Sequence, residues 1–218
     1  EITREVPWNS AGTSTAPYVG KPCVATLASV LRGMARAVHG LRASSGLPLG
    51  GILGAVGKDF GFITFMQQQG VAFDVLGFHN YPKSYENILV TDPWYGTGGA
   101  FTQLAYFGKP VHLNEFNCGD IYLSTYENRE GATNTEACLR GLAKQLKAIR
   151  TQTTANVEWV HFYELLDEPT KSGPEAVFGM MYNLTTPKVH LLLASAFAGG
   201  SLTAAERQAL TSRGLLTD

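Results

Sequence analysis

The sequence predicts an α/β fold of parallel strand–helix units, and three observations lead to that prediction. Strand-like apolar runs alternate with helix-like stretches, and polar loops separate the two kinds of segment. A length of 218 residues is enough for one hydrophobic core, so a single domain over residues 1–218 is expected. The hydrophobic share of 44% and the charged share of 16% are typical of a globular protein.

The first third of the chain is predicted to hold a loop, two helices and a strand. Residues 1–20 are polar and contain several turn-forming residues, so a long N-terminal loop is expected. From Val24 to Leu41 apolar side chains recur at helical spacing, and Gly46 follows the end of that pattern. The short apolar run over residues 51–56 is typical of a buried strand, and residues 59–69 have helical spacing again.

The middle of the chain is predicted to hold two further strands. The first covers residues 73–78, and a long loop rich in glycine and aromatic residues follows it. After a short helix over residues 101–107, the second strand covers residues 111–116. Thr133 and Glu136 have the spacing of a capping box, which predicts the start of another helix there.

The C-terminal part is predicted to hold one strand and two helices. Residues 157–165 form the strongest strand pattern of the chain, and a helix is expected near residues 187–198. Residues 201–218 are predicted to form a C-terminal capping helix, because Thr203 and Glu206 make a second capping box. The chain therefore contains four to five strand–helix units.

Composition argues against several partners and cofactors. The formal net charge of −1, without any run of like charges, offers nothing to a nucleic acid or an acidic membrane surface. The longest apolar stretches are too short to span a bilayer. Because glycine-rich phosphate signatures and a G-x-S-x-G motif are both missing, no nucleotide cofactor and no serine hydrolase are expected.

The three cysteines do not have metal-binding spacing. No C-x-x-C pair occurs, so no zinc site and no other metal site is expected. Cys118 and Cys138 are either a disulfide, if the protein is secreted, or two buried free thiols. The location of the protein stays open in the same way: secreted or periplasmic if it degrades polysaccharide, and cytoplasmic otherwise.

Polar side chains stand at the C-terminal ends of three predicted strands, where buried parallel strands ordinarily carry apolar ones. The three pairs are His79 with Tyr81, Asn114 with Glu115, and Tyr163 with Glu164. In a barrel of parallel strands these ends face one rim, and active sites are built on that rim. The pattern therefore predicts one shared site.

Three segments resemble clan A glycoside hydrolases. KPVHLNEF (residues 109–116) is similar to their seventh strand, which ends in the catalytic nucleophile, and FDVLGFHNYP (73–82) is similar to the sixth. VHFYELLDEP (160–169), followed by EAVFG, resembles the eighth strand of families near glycoside hydrolase family 39. Residues 51–55 would then be the fifth strand. The resemblance covers roughly residues 25–200 and implies the C-terminal half of a TIM-barrel-like (β/α)8 fold.

The resemblance also implies a retaining glycosidase that acts on β-linked oligo- or polysaccharide. Glu115 would be the nucleophile that forms a covalent glycosyl-enzyme. Tyr81 would donate a hydrogen bond to that carboxylate or to the ring oxygen of the sugar. His79 would contact a sugar hydroxyl or orient Tyr81. The alternatives are a strand-end Glu115 paired with a basic residue, and a His79 that belongs to the core.

Further sugar contacts are implied around the same rim. Asn114 stands beside the nucleophile, and Tyr163 and Glu164 would line the sugar subsite, although only one of these two neighbours can point inward. Tyr163 could instead be a core residue. Trp94 and Tyr95 lie in the glycine-rich loop and would form a stacking platform for sugar.

The second carboxyl group of the retaining mechanism is harder to place. It must lie roughly 5–5.5 Å from the nucleophile, and in the resembled families it ends the fourth strand. Glu1 is the candidate, the alternative being a terminal residue without a role. Four strands leave sheet edges open, so we expect a truncated barrel or a homodimer that completes the barrel. A non-catalytic, self-associating half-barrel that binds carbohydrate is the competing hypothesis.

Overall fold

A computed structural model describes residues 12–55, 59–83, 86–92, 95–120, 136–171 and 174–216. Helices α1 to α6 cover Pro22–Ser45, Phe60–Gln68, Gly99–Tyr106, Glu136–Thr151, Val189–Phe197 and Ala204–Thr211. Strands β1 to β8 cover Ile52–Ala55, Val75–Asn80, Thr91–Asp92, Gly96–Thr97, Val111–Phe116, Val157–Phe162, Met181–Asn183 and Thr186–Pro187. Short 3-10 helices cover Ala16–Tyr18 and Pro174–Val177.

The four longer strands form one parallel sheet in the order β1-β2-β5-β6, with helices between them. In the β1–β2 pair, Ile52 lies opposite Val75 and Ala55 opposite Phe78. The predicted α/β class with a parallel sheet is therefore confirmed. Two small antiparallel hairpins, β3–β4 and β7–β8, accompany this sheet.

The chain divides into two compact units. Within the described ranges, the first contains the residues up to His79 together with Thr91–Asn114 and Thr154–Trp159. The second contains Asn80–Val90, the described part of 115–153, and the described residues from Val160 onward.

Aromatic packing around Phe60 forms the centre of the first unit. Its ring stacks on Phe78, with ring centroids 5.5 Å apart, and meets Tyr95 edge-on at 5.1 Å. Asp59 caps α2 by accepting a hydrogen bond from the Phe62 amide at 3.1 Å. The hydroxyl of the buried Tyr18 donates to the same carboxylate, and burial raises the pKa of that hydroxyl well above its usual range.

The long helix α1 buries little of its surface. Only Val24 and Ala28 of its side chains are buried, whereas Val30, Met34 and Leu41 are each more than half exposed. Its C-terminal part is held by Asp74, whose carboxylate accepts from His39 at 2.8 Å and Arg42 at 3.0 Å. Asp74 also accepts from the Gly51 amide at 2.9 Å, and that bond, with smaller help from the two side chains, holds its pKa well below the usual range.

The second unit has a core formed by α4 and α5. Helix α4 buries Leu139, Leu142 and Leu146, and α5 buries Leu193. Cys118 and Cys138 form a disulfide with a Cα–Cα distance of 5.7 Å, so the disulfide alternative is the one present. The capping box of Thr203 and Glu206 is present at the start of α6, as predicted.

Several element boundaries differ from the predicted ones. Strand β2 runs two residues further, because the Asn80 carbonyl still accepts a hydrogen bond from the Asn117 amide at 3.2 Å. Strand β6 ends at Phe162 rather than Leu165, because the backbone beyond it bonds with residues 178–181. The hairpin β7–β8 was not predicted. Residues 12–20 include a 3-10 helix, and Thr133, the expected cap of α4, lies outside the described residues.

Candidate active site

The C-terminal ends of three sheet strands come together in the second unit. The Asn117 amide, just past β5, donates to the Asn80 carbonyl at the end of β2 at 3.2 Å. The Tyr163 amide, just past β6, donates to the Phe116 carbonyl at 3.2 Å. These bonds align the positions where the sequence carries its polar side chains, which is the rim on which parallel α/β folds build sites.

Tyr81 and Glu115 meet at this edge. The Tyr81 hydroxyl donates to Glu115 Oε2 at 2.9 Å, and both side chains are half-buried. The carboxylate is one of the two acceptors that the resemblance implies for Tyr81, the other being the ring oxygen of a bound sugar. A phenol donor of this kind restricts the rotation of the carboxylate, so one of its oxygens has a defined direction.

The Phe178 ring supports two tyrosines. It is 0% exposed, and the Tyr81 ring lies 5.5 Å from it between centroids, with the Tyr163 ring at 5.9 Å. Tyr163 thus lies in the same aromatic cluster as Tyr81, and the two contact one ring. Near the rim, Lys171 Nζ lies 3.5 Å from the Tyr163 hydroxyl and pairs with Glu168.

Asn117 connects this cluster through its buried side chain. Its Nδ2 donates to the Tyr163 carbonyl at 2.5 Å and to the Phe178 carbonyl at 2.9 Å. Its Oδ1 accepts from the Cys118 amide at 2.7 Å. The residue is 0% exposed, so water cannot satisfy its polar atoms. Its Nδ2 and Oδ1 instead form hydrogen bonds with backbone groups of the protein.

Close packing continues at Gly119, the residue after the disulfide cysteine. A Cβ at this position would lie 2.2 Å from the Tyr81 carbonyl oxygen, and the Gly119 amide donates to the Pro82 carbonyl at 2.8 Å. Only glycine fits this approach. The backbone that carries Tyr81 is therefore held against the segment that follows Glu115.

A buried ion pair lies behind the loop after β6. Lys188 Nζ is 2.7 Å from Asp167 Oδ1 and donates to the Val177 carbonyl at 3.1 Å. Two residues further on, the His190 ring is fully buried against Phe162, and neither of its nitrogens has a hydrogen-bond partner among the described residues. Burial, with a smaller effect of the Lys188 charge, lowers the pKa of His190 to about 3.

The other residues predicted for the site do not all lie beside Tyr81 and Glu115 in the second unit. His79 is half-buried near the end of β2, in the first unit. Asn114 lies in the first unit too, packed against Gly77, and its buried Oδ1 has no hydrogen-bond partner among the described residues. Glu164 is half-buried, and its backbone bonds with Phe178 and Met180.

Three further predictions fall on the loops and the N-terminus. Glu1 and Trp94 lie outside the described residues. The expectation that Tyr95 forms part of an exposed sugar platform is wrong, because its ring is only 6% exposed and packs against Phe60. An aromatic residue in a glycine-rich loop has a large apolar surface, and here that surface is used by the core.

A possible metal-ligand group is formed by Cys118, Asp120 and Cys138, whose ligand atoms lie within 4.8 Å of one another. The two sulfurs are bonded to each other, so neither is available as the thiolate that a metal needs.

Comparison with known proteins adds no family assignment. No family model matches the chain, and neither a curated protein nor a solved structure matches it. None of the described helices is long and apolar enough to cross a membrane.

Proposed function

We propose that this protein is a retaining glycoside hydrolase of β-linked oligo- or polysaccharide, with Glu115 as its nucleophile. The observation that carries the proposal is the hydrogen bond from Tyr81 to Glu115 Oε2 at 2.9 Å, at the C-terminal ends of two sheet strands. This bond gives the carboxylate a defined direction at the edge of a parallel sheet where barrels of this kind build their active sites.

In the proposed reaction Glu115 attacks the anomeric carbon of the sugar. A carbon–oxygen bond forms to the carboxylate as the bond to the leaving group breaks, and a second carboxylic acid gives its proton to the leaving oxygen. Water then hydrolyses the glycosyl ester with the second group acting as base. Tyr81 orients the nucleophile, and Tyr163, Glu164, Asn114, His79 and Trp94 are proposed sugar contacts. Glu1 remains the candidate for the second carboxyl group.

We further propose that the sheet is one half of a TIM-barrel-like fold, corresponding to strands five to eight. The support is the strand order β1-β2-β5-β6, which follows the chain as it does in such a barrel. Exposed apolar side chains on β1 and α1, such as Ile52 at 53% and Met34 at 59%, suit a surface that further structure covers. A second copy of the chain would complete eight strands, and light scattering should then report a dimer.

Covalent labelling tests the nucleophile. The purified chain is treated with a panel of 2,4-dinitrophenyl 2-deoxy-2-fluoro-β-glycosides, whose leaving group needs little help from an acid. Mass spectrometry should find one fluorosugar on the peptide that contains Glu115. Glu115→Gln should take no label, whereas Glu158→Gln, an exposed glutamate on β6, should label like the unaltered protein.

The other outcomes separate the competing hypotheses. Label on a different carboxylate together with normal hydrolysis would remove Glu115 from its role. Sugar binding by calorimetry without label or turnover would favour the non-catalytic carbohydrate-binding half-barrel. If no sugar of the panel binds or reacts, both hypotheses fail.

A further inference from the structure

A buried residue close to the proposed nucleophile has a geometry that sugar contact cannot explain. Asn117 follows Glu115 by two positions and is 0% exposed, so a ligand in a rim pocket does not reach it. Its three side-chain hydrogen bonds all go to backbone groups: the carbonyls of Tyr163 and Phe178 and the amide of Cys118.

The primary amide is matched to these three partners. It supplies two donors and one acceptor from one planar group. An aspartate of the same shape would lose both donors and place a charge against two carbonyl oxygens, and a serine has only one hydroxyl. The side chain therefore joins its own segment to two distant ones, with separations of 46 and 61 residues to Tyr163 and Phe178.

One of these segments supports Tyr81. Asn117 holds the Phe178 carbonyl at 2.9 Å, and the Phe178 ring contacts the ring of Tyr81 with centroids 5.5 Å apart. The hydroxyl of Tyr81 in turn donates to Glu115. The backbone N–H of residue 117 also donates to the Asn80 carbonyl, next to Tyr81 in the chain, and this bond does not depend on the side chain. The Asn117 side chain thus acts on the Tyr81 ring through Phe178.

We propose that Asn117 is a positioning residue whose side chain holds the Tyr81 hydroxyl against Glu115 through its hydrogen bond to the Phe178 carbonyl. The consequence for catalysis rests on the proposed hydrolase function. The positioning itself does not, because the hydrogen bond between Tyr81 and Glu115 can be observed without any substrate.

The test is a spectroscopic one on the full chain. The Cζ carbon of a tyrosine responds to hydrogen bonding of its hydroxyl, so the protein is labelled with 13Cζ-tyrosine and the Tyr81 signal among the nine tyrosines is assigned with Tyr81→Phe. Glu115→Ala gives the position of that signal without the hydrogen bond. In Asn117→Ser the signal should move at least half of the way to that position, and in Asn117→Ala further still.

Two additional variants keep the test decisive if the Asn117 variants fold poorly. Phe178→Leu retains apolar volume but removes the ring contact, and it should move the Tyr81 signal in the same direction. Leu193→Ala, a core truncation on α5 of the same unit, should lower the melting temperature and leave the signal in place. A Tyr81 signal unchanged in both Asn117→Ser and Phe178→Leu would overturn the proposal, and so would a shift of equal size in Leu193→Ala.

The kinetic readout follows if labelling has established Glu115 as the nucleophile. A misplaced orienting group lowers the rate of the chemical step more than it weakens sugar binding, so kcat should fall about 10- to 100-fold in Asn117→Ser with KM changed less than about threefold. A change confined to KM would contradict positioning. If no hydrolysis exists at all, the tyrosine signal still decides whether Asn117 positions Tyr81.

Discussion

Two groups of polar side chains, one in each unit, lie in opposite environments. In the first, Asp74 collects His39, Arg42 and the Gly51 amide at the surface, where water also reaches the groups. In the second, Asn117, Lys188 and His190 are buried in the core, and Lys188 pairs with the half-buried Asp167. Because a buried polar group that loses its partner cannot turn to water, the same kind of substitution should have a much larger effect in the second unit.

The position of these buried groups indicates what they are for. The loop after β6 and the segment around Phe178 contain little regular structure, so apolar periodicity cannot hold them. Hydrogen bonds from Asn117 and Lys188 to the carbonyls of Phe178 and Val177 do so instead. Along α1 in the first unit, the backbone hydrogen bonds are supplied by the helix itself, and the side chains of His39 and Arg42 attach it to Asp74.

The largest expected effect comes from the buried ion pair. Lys188→Met keeps most of the side-chain volume but leaves Asp167 and the Val177 carbonyl without their cation, so we expect a loss of about 3–5 kcal/mol in unfolding free energy. Urea denaturation measures it. Lys188→Met combined with Asp167→Asn should recover part of the loss, and the exposed Lys147→Met should change stability by less than about 0.5 kcal/mol. Equal effects at positions 188 and 147 would contradict the comparison.

The next effect is a pH dependence that belongs to the second unit. His190 has a folded-state pKa of about 3 against an ordinary value of 6.5. Between these two pH values the unfolded chain binds a proton on His190 that the folded protein does not. Stability from this group is complete above pH 6.5 and falls as the pH drops. Between pH 7 and pH 5 the loss should be about 2 kcal/mol, from about 1.4 kcal/mol for each pKa unit.

Denaturation of His190→Leu at several pH values measures this contribution. The variant should lose that part of the slope, whereas Leu193→Ala should be less stable at every pH with the slope retained. An unchanged slope in His190→Leu would show that other groups account for the pH dependence.

The sequence predicted the parallel sheet and pointed to Tyr81 and Glu115 at its edge, but it did not predict the residues that hold these two in place. Strands β2 and β5 were recognisable because apolar runs are a local signal, and Tyr81 and Glu115 follow from their ends. Asn117 and Phe178 were missed because their partners lie dozens of residues away and their own residue types are unremarkable in a loop. Tyr95 was predicted to be exposed because the sequence of a loop does not show which of its aromatic side chains packs into the core.

The sequence also did not show which polar residues are buried, because burial depends on partners that are distant along the chain. Lys188 precedes an apolar helix and looks like an ordinary surface cation, yet it is 2% exposed. The hairpin β7–β8 that precedes it has only three and two residues, too few for a period-two pattern to be visible. Its turn does have a signal: Asn183 accepts from the Thr185 amide at 3.0 Å, a bond that asparagine commonly makes in turns.

The smallest expected effect is at the surface of the first unit. Asp74→Asn removes the charge that Arg42 and His39 contact and weakens the acceptor for the Gly51 amide. The free energy of unfolding should therefore fall by about 1 kcal/mol. The folded-state pKa of Asp74 is depressed, so its contribution is present at neutral pH and disappears as the pH falls through the acidic range. Salt should screen it as well, because water reaches the pair. Thermal melts at low and high salt measure the difference between Asp74→Asn and the unaltered protein. If that difference stays the same at 1 M salt, the surface network acts like a buried one, and the contrast between the two units does not hold.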